Sequence, residues 1–60
     1  MKPYLCYIRR PHRDVSELTI IASEDDDGVP DAVRRILREW PDYQSVEVFE
    51  DERPVFRLTT

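Results

Sequence analysis

A single segment of the chain has the apolar spacing of an amphipathic helix, and this segment limits the folds that the chain can adopt. Its apolar residues recur every three or four positions, and mostly charged residues stand between them. Pro30 suits the first turn of a helix that begins near Asp27, and Pro41 prevents its continuation. The apolar side consists of Val29, Ala32, Val33, Ile36, Leu37 and Trp40. The sequence therefore predicts one helix of about three turns, which can cover only one face of a sheet.

Two pairs of short apolar segments flank the predicted helix and have the character of β-strands. Residues 4–8 and 17–22 precede the helix, and residues 46–49 and 55–58 follow it. These segments are rich in branched and aromatic side chains, which favour strands over helices. The predicted order of elements is therefore strand, strand, helix, strand, strand, within a single domain that spans residues 1–60.

This order predicts an α+β fold in which a four-stranded mixed sheet carries one helix on one face. In the second hairpin, we expect a three-residue loop with Glu50 opposite Pro54, which places Val46 opposite Leu58. The layout resembles β-grasp and protein-G-like domains, and that resemblance implies the strand order 2-1-4-3 with the first and last strands parallel at the centre. Other orders of the two hairpins stay open at this point.

Because side chains alternate along a strand, the sequence also predicts which residues face away from the helix. The residues expected on the helix side are Tyr4, Cys6, Ile8, Leu18, Ile20, Val46, Val48, Phe56 and Leu58. The residues expected on the opposite, open face are Leu5, Tyr7, Ile21, Phe49 and Val55. Five large apolar side chains on an open face favour an interface with a second copy or another protein. The alternative is that a bulge or a tilted helix buries some of them.

The charges are distributed unevenly, although the chain is acidic as a whole. Its formal net charge is −4, which argues against a general role in coating nucleic acid or anionic membranes. Strand directions place the acidic residues 24–27 and 50–52 at one end of the molecule and the basic residues 9–13 at the other. The candidate phosphate-binding residues are Arg9, Arg10, His12 and Arg13. Solvated loop charges explain the same pattern without a ligand.

Residues that carry catalytic or metal chemistry are scarce. One cysteine and one histidine cannot supply a disulfide or the ligands of a zinc site, and no glycine-rich phosphate loop is present. Cys6 is expected on the core face of its strand, away from His12. We therefore expect no catalytic residues, no metal, no cofactor and no small-molecule substrate. The lone thiol and the lack of a long apolar run favour a cytoplasmic protein with no membrane partner.

Several segments resemble small bacterial proteins of about 60 residues with no known activity. The similarity covers a tyrosine-rich first strand at 4–7, an acidic helix start at 25–27 and the apolar hairpin at 46–58. Phe49 stands where those proteins usually have tryptophan, and Pro54 replaces a bulky apolar residue. The resemblance implies a similar ββαββ fold and a bacterial origin. Ubiquitin-like carriers share the β-grasp layout, but this chain lacks their Gly-Gly tail, so carrier chemistry is not expected.

The sequence thus leads to two functional hypotheses. The first is a non-enzymatic module that forms a homodimer or docks a partner protein through the open face. The alternative is a small nucleic-acid-associated accessory protein that uses the basic loop at residues 9–13.

Overall fold

The computed structural model describes all residues, Met1–Thr60, and confirms the α+β layout of two strands, a helix and two strands. The strands are β1 (Lys2–Arg9), β2 (Glu17–Ser23), β3 (Ser45–Glu50) and β4 (Arg53–Thr59). The helix α1 (Val29–Ile36) is continued at each end by a 3-10 turn, Asp26–Gly28 before it and Leu37–Glu39 after it.

The strand order differs from the expected one. The sheet runs β2-β1-β3-β4 and every neighbouring pair is antiparallel, so the predicted order 2-1-4-3 and the mixed sheet are wrong. The short link between the helix and β3 delivers the chain directly beside β1, where the Gln44 backbone N–H donates to the Arg9 carbonyl at 2.7 Å. Pro54 also lies within β4, and a proline without an N–H donor is tolerated at a sheet edge rather than at its centre.

The core lies between the helix and one face of the sheet, as the helical spacing predicts. Val29, Val33 and Leu37 point from the helical segment into this core and are buried. From the sheet they meet the side chains of Tyr4, Cys6, Ile8, Ile21, Val46 and Val48. Ala32, Ile36 and Trp40 are half-buried at its margin, so the helix presents the predicted apolar side.

The two faces of β2 are exchanged relative to the sequence prediction. Ile21, expected on the open face, is only 4% exposed and belongs to the core, whereas Leu18 and Ile20 face away from the helix. The reason lies where β2 meets the helical segment. The Ser23 hydroxyl donates to the Asp25 carbonyl at 2.7 Å, and a Cβ at Gly28 would lie 2.5 Å from the Ser23 oxygen. Ser23 must therefore face the helix, and period-two alternation carries Ile21 with it.

The second hairpin has the predicted pairing but a different turn. Val46 lies opposite Leu58 as expected, but Glu50 pairs with Arg53 rather than Pro54. Only two residues connect the strands, and a β-bulge compensates for the shorter turn with one extra residue in β4, Val55. The bulge turns Val55 toward the core, against which it is half-buried, so its predicted place on the open face is also wrong.

Candidate interaction surface

The open face of the sheet carries a continuous group of apolar side chains. In one row across the strands, Leu5 stands between Ile20 of β2 and Phe49 of β3. In the next row, Tyr7 stands opposite Leu18. Cross-strand neighbours within a row have Cβ atoms about 5 Å apart. The Tyr7 and Phe49 rings, with centroids 5.8 Å apart, join the two rows. We call these five residues, Leu5, Tyr7, Leu18, Ile20 and Phe49, the open-face patch.

The patch is accessible because α1 lies on the other side of the sheet. Leu18 is 59% exposed and Ile20 is 66% exposed, and both lie on the edge strand β2. Tyr7 is 38% exposed, whereas Leu5 and Phe49 are half-buried by their neighbours. The most exposed part of the patch therefore lies toward the β2 edge. Contiguous exposed apolar surface of this kind is typical of protein interaction sites.

Two aromatic rings give the middle of the patch a defined shape. The Tyr7 and Phe49 rings meet edge to face, with centroids 5.8 Å apart and an interplanar angle of 87°. This is a favoured aromatic geometry. The same two rings form the apolar part of a shallow depression whose other lining residues are Ser16, Glu47, Asp51 and Glu52. The patch is thus bordered on one side by carboxylates.

The basic loop is less available for phosphate than its sequence indicates. The Arg10 guanidinium lies 3.2 Å from an Asp42 carboxylate oxygen and 3.9 Å from one of Glu17. Arg9, His12 and Arg13 are exposed and form no ion pair. Of the four candidate phosphate-binding residues, one is therefore already engaged by carboxylates of the same chain.

The opposite end carries an ion-pair network that the sequence reasoning missed. Arg53 donates to Asp26 at 2.9 Å and also to Glu50, and Lys2 lies 3.3 Å from Glu50. The buried Tyr4 ring directs its hydroxyl to the Asp26 carboxylate at 2.9 Å. We call these five residues the acidic-end network. The two acidic segments lie at one end, as the strand directions predict, but Lys2 and Arg53 offset part of their charge.

The network shifts the ionisation of its members in directions set by their partners. Hydrogen bonds from Arg53 and then Tyr4 lower the pKa of Asp26, and hydrogen bonds from Arg53 and Lys2 lower that of Glu50. Burial, followed by the hydrogen bond to Asp26, raises the pKa of Tyr4. Both carboxylates therefore hold their charge more firmly than free side chains do. Their role in the structure is to link the helix start to three strands.

Reactive and metal-binding groups are not gathered elsewhere. Cys6 is fully buried, and desolvation raises the pKa of its thiol to about 11. No three His, Cys, Asp or Glu side chains come together in a way that would hold a metal ion. The helical segments are also too short to cross a bilayer.

Three of the five residues predicted for the open face lie together there: Leu5, Tyr7 and Phe49. Ile21 and Val55 do not join them, for the reasons given above. The two residues that the prediction missed are Leu18 and Ile20. Ser23 is the sequence signal that could have identified them. It is a small polar residue directly before the turn into the helix, and its position determines which face of β2 is buried.

Comparison with known proteins found no relative of this chain. No family model, no curated protein and no solved structure matches the chain. The resemblance to small bacterial ββαββ proteins therefore stays a prediction.

Proposed function

We propose that this protein is a non-enzymatic interaction module that docks a partner protein through the open-face patch. The observation that carries the proposal is the patch itself, in which five large apolar side chains lie together on a sheet face that the helix leaves uncovered. Covering such a surface is favourable by roughly 25 cal/mol per Å² of apolar area removed from water.

The composition of the patch suits recognition as well as affinity. Tyr7 and Phe49 are braced against each other, so little side-chain freedom is lost when a partner contacts them. Tyrosine is among the residues that dominate binding energy at protein interfaces. The carboxylates of Glu47, Asp51 and Glu52 at the border favour a partner whose contacting rim is basic.

The size of the face determines what kind of complex it can form alone. Strands about 4.8 Å apart and rising about 3.3 Å per residue give this face an area of roughly 400 Å². A standard interface takes about 800 Å² from each partner, so one copy offers about half of that. A single copy is therefore suited to a short segment or to a transient complex.

The proposal is tested by placing a charge at the centre of the patch. Tyr7→Glu and Phe49→Glu should each abolish capture of the partner, because a carboxylate would be desolvated in the interface and lie near Glu47. Arg38→Glu, on the exposed side of the helical segment, is the matched control and should retain the partner. Fluorescence of the half-buried Trp40 reports whether each variant is folded.

Two results would contradict the proposal. In the first, folded Tyr7→Glu and Phe49→Glu proteins retain every partner that the wild type binds. In the second, the Arg38→Glu control loses the partner as completely as they do, which would place the contact on the helical side of the molecule.

A further inference from the structure

The two edges of the sheet differ in how they are protected against pairing with another strand. β4 has a proline, a β-bulge and two arginines, Arg53 and Arg57, which are features that natural sheets use to block their edges. β2 has none of them. Its seven residues, Glu17–Ser23, include no proline, no glycine and no basic residue, and it forms no bulge with β1.

The outer edge of β2 is also unoccupied within the chain. All hydrogen bonds that β2 backbone groups form within the sheet go to β1, its only neighbour. No turn or loop backbone group and no side chain donates to or accepts from that edge. The outward N–H and C=O groups of this strand are thus free to pair with an added strand.

We propose that the strand added at this edge is β2 of a second copy, paired antiparallel across a two-fold axis perpendicular to the sheet. The register that pairs all seven residues is centred on Ile20, which then lies opposite its own copy. In that register Leu18 faces Ala22 of the partner and Glu17 faces Ser23 of the partner. The only charged residue of the strand therefore meets Ser23 of the partner rather than another carboxylate. On the open face Leu18, Ile20 and Ala22 meet apolar side chains, whereas on the helix face Thr19 lies opposite Ile21 of the partner.

The two-fold axis fixes where the two open-face patches lie. Because it is perpendicular to the sheet, both open faces point the same way and join into one face of eight strands. Leu18 and Ile20, the most exposed members of the patch, then lie at the centre of that face. The joined face has roughly 800 Å², which matches one side of a standard interface. This last consequence rests on the proposed docking function, whereas the pairing of the β2 edges does not.

A site-specific disulfide tests the pairing and its register. With Cys6 replaced by alanine, Ile20→Cys is expected to form an intermolecular disulfide under a mild oxidant, because paired antiparallel Cα atoms are about 4.5 to 5.5 Å apart. At a protein concentration of about 10 µM, pairing raises the local thiol concentration to the millimolar range and should speed cross-linking on the order of 100-fold over random collision. Leu18→Cys is the matched control, since its two copies would be displaced by about 13 Å along the strands.

The solution mass gives a second measurement that needs no cysteine. Light scattering on the wild type should give a mass that rises with concentration and approaches twice the 7.2 kDa of one chain at about 100 µM. Ile20→Lys places two ammonium groups opposite each other and should restore the mass of one chain. Phe49→Glu lies two strands away from the edge and should leave the doubled mass unchanged.

The outcomes separate this inference from the proposed function. A wild type that stays monomeric at this concentration, or Leu18→Cys cross-linking as fast as Ile20→Cys, overturns the paired β2 edges. Loss of the doubled mass in Phe49→Glu also overturns it, because that result would indicate stacking of the two open faces. A monomer that still loses its partner protein on Tyr7→Glu would leave the docking function standing without the dimer.

Discussion

Cys6 lies between Tyr4 and Ile8 on the face of β1 that the helix covers, and its side chain is fully buried. A thiol reacts as the thiolate, and here desolvation raises the pKa to about 11 from an ordinary value of 9.0. Both access and ionisation therefore protect the sulfur in the folded protein.

We expect Cys6 to react slowly with an alkylating reagent at neutral pH and rapidly once urea unfolds the chain. Cys6→Ala should lower the free energy of unfolding by about 1 kcal/mol, because a small buried group is lost and a cavity remains. It should leave partner binding unchanged, since Cys6 lies on the opposite face from the open-face patch. Rapid stoichiometric alkylation of the folded wild type would contradict this placement.

The raised pKa of Cys6 also affects the stability of the protein at high pH. The folded-state pKa of Cys6 lies above the unfolded value, so its contribution to stability is complete below about pH 9. That contribution is lost as the pH rises toward 11, and Cys6→Ala should lack this part of the alkaline destabilisation.

At the scale of elements, the junction between β2 and the helical segment determines which residues of β2 are buried. Gly28 approaches Ser23 so closely that an added Cβ would lie 2.5 Å from the hydroxyl oxygen. That oxygen is held by its hydrogen bond to the Asp25 carbonyl, and the Asp25 carboxylate in turn accepts from the Gly28 N–H at 3.2 Å. The glycine is needed here for space, not for an unusual backbone angle.

Gly28→Ala should therefore destabilise the protein by about 1 to 2 kcal/mol, although alanine favours helices, because the added methyl group overpacks the junction. In a Ser23→Ala background the hydroxyl is absent, and the same glycine substitution should cost less than half as much. Urea unfolding of the four proteins, followed by Trp40 fluorescence, gives this coupling directly. Additive effects of the two substitutions would show that the close approach is unimportant.

The sequence was sufficient to place the helix and all four strands, but not to decide which face of β2 is buried. The helix was predictable because six apolar residues repeat with one period. β2 has apolar residues on both faces, Leu18 and Ile20 on one and Ile21 on the other, so alternation alone could not say which face is buried. The bulge at Val55 could not be predicted from the sequence either. A three-residue loop gives the same pairing of Val46 with Leu58 as a two-residue turn with one bulged residue.

At the scale of the whole molecule, the acidic-end network connects the helix start to β1, β3 and β4. Because partners lower the pKa of Asp26 and Glu50 in the folded state, the unfolded chain binds protons first as the pH falls. Their contribution to stability is therefore present above their ordinary pKa values of 3.8 and 4.5, and it is lost as the pH falls through the lower folded-state values.

Replacing Arg53, which pairs with both Asp26 and Glu50, should weaken the dependence of the protein's stability on acidic pH. Arg53→Gln is expected to be less stable than the wild type at neutral pH, and the difference should narrow as the pH falls below about 4 and the carboxylates become neutral. Arg57→Gln, on the same strand but outside any ion pair, is the control and should keep the wild-type acid dependence. Stability curves of wild type and Arg53→Gln that stay parallel from neutral to acidic pH would exclude the network as the cause.

The strand order of the whole molecule was not predictable from the local pattern, because either hairpin arrangement buries the same apolar residues. One residue favours the observed order. Pro54 lacks the donor that a central strand needs, and it lies in β4 at the edge of the sheet.

The bulge and the proline in β4 also limit how far copies of this protein can assemble. A sheet with two open edges can recruit copies without end, and such growth leads to fibres. Here each chain has one strand able to recruit and one that is blocked, so a pair joined through β2 presents only blocked strands to the next copy. In the proposed pair, Val55 and Pro54 thus block the addition of a further strand, and assembly through sheet edges would stop at two chains.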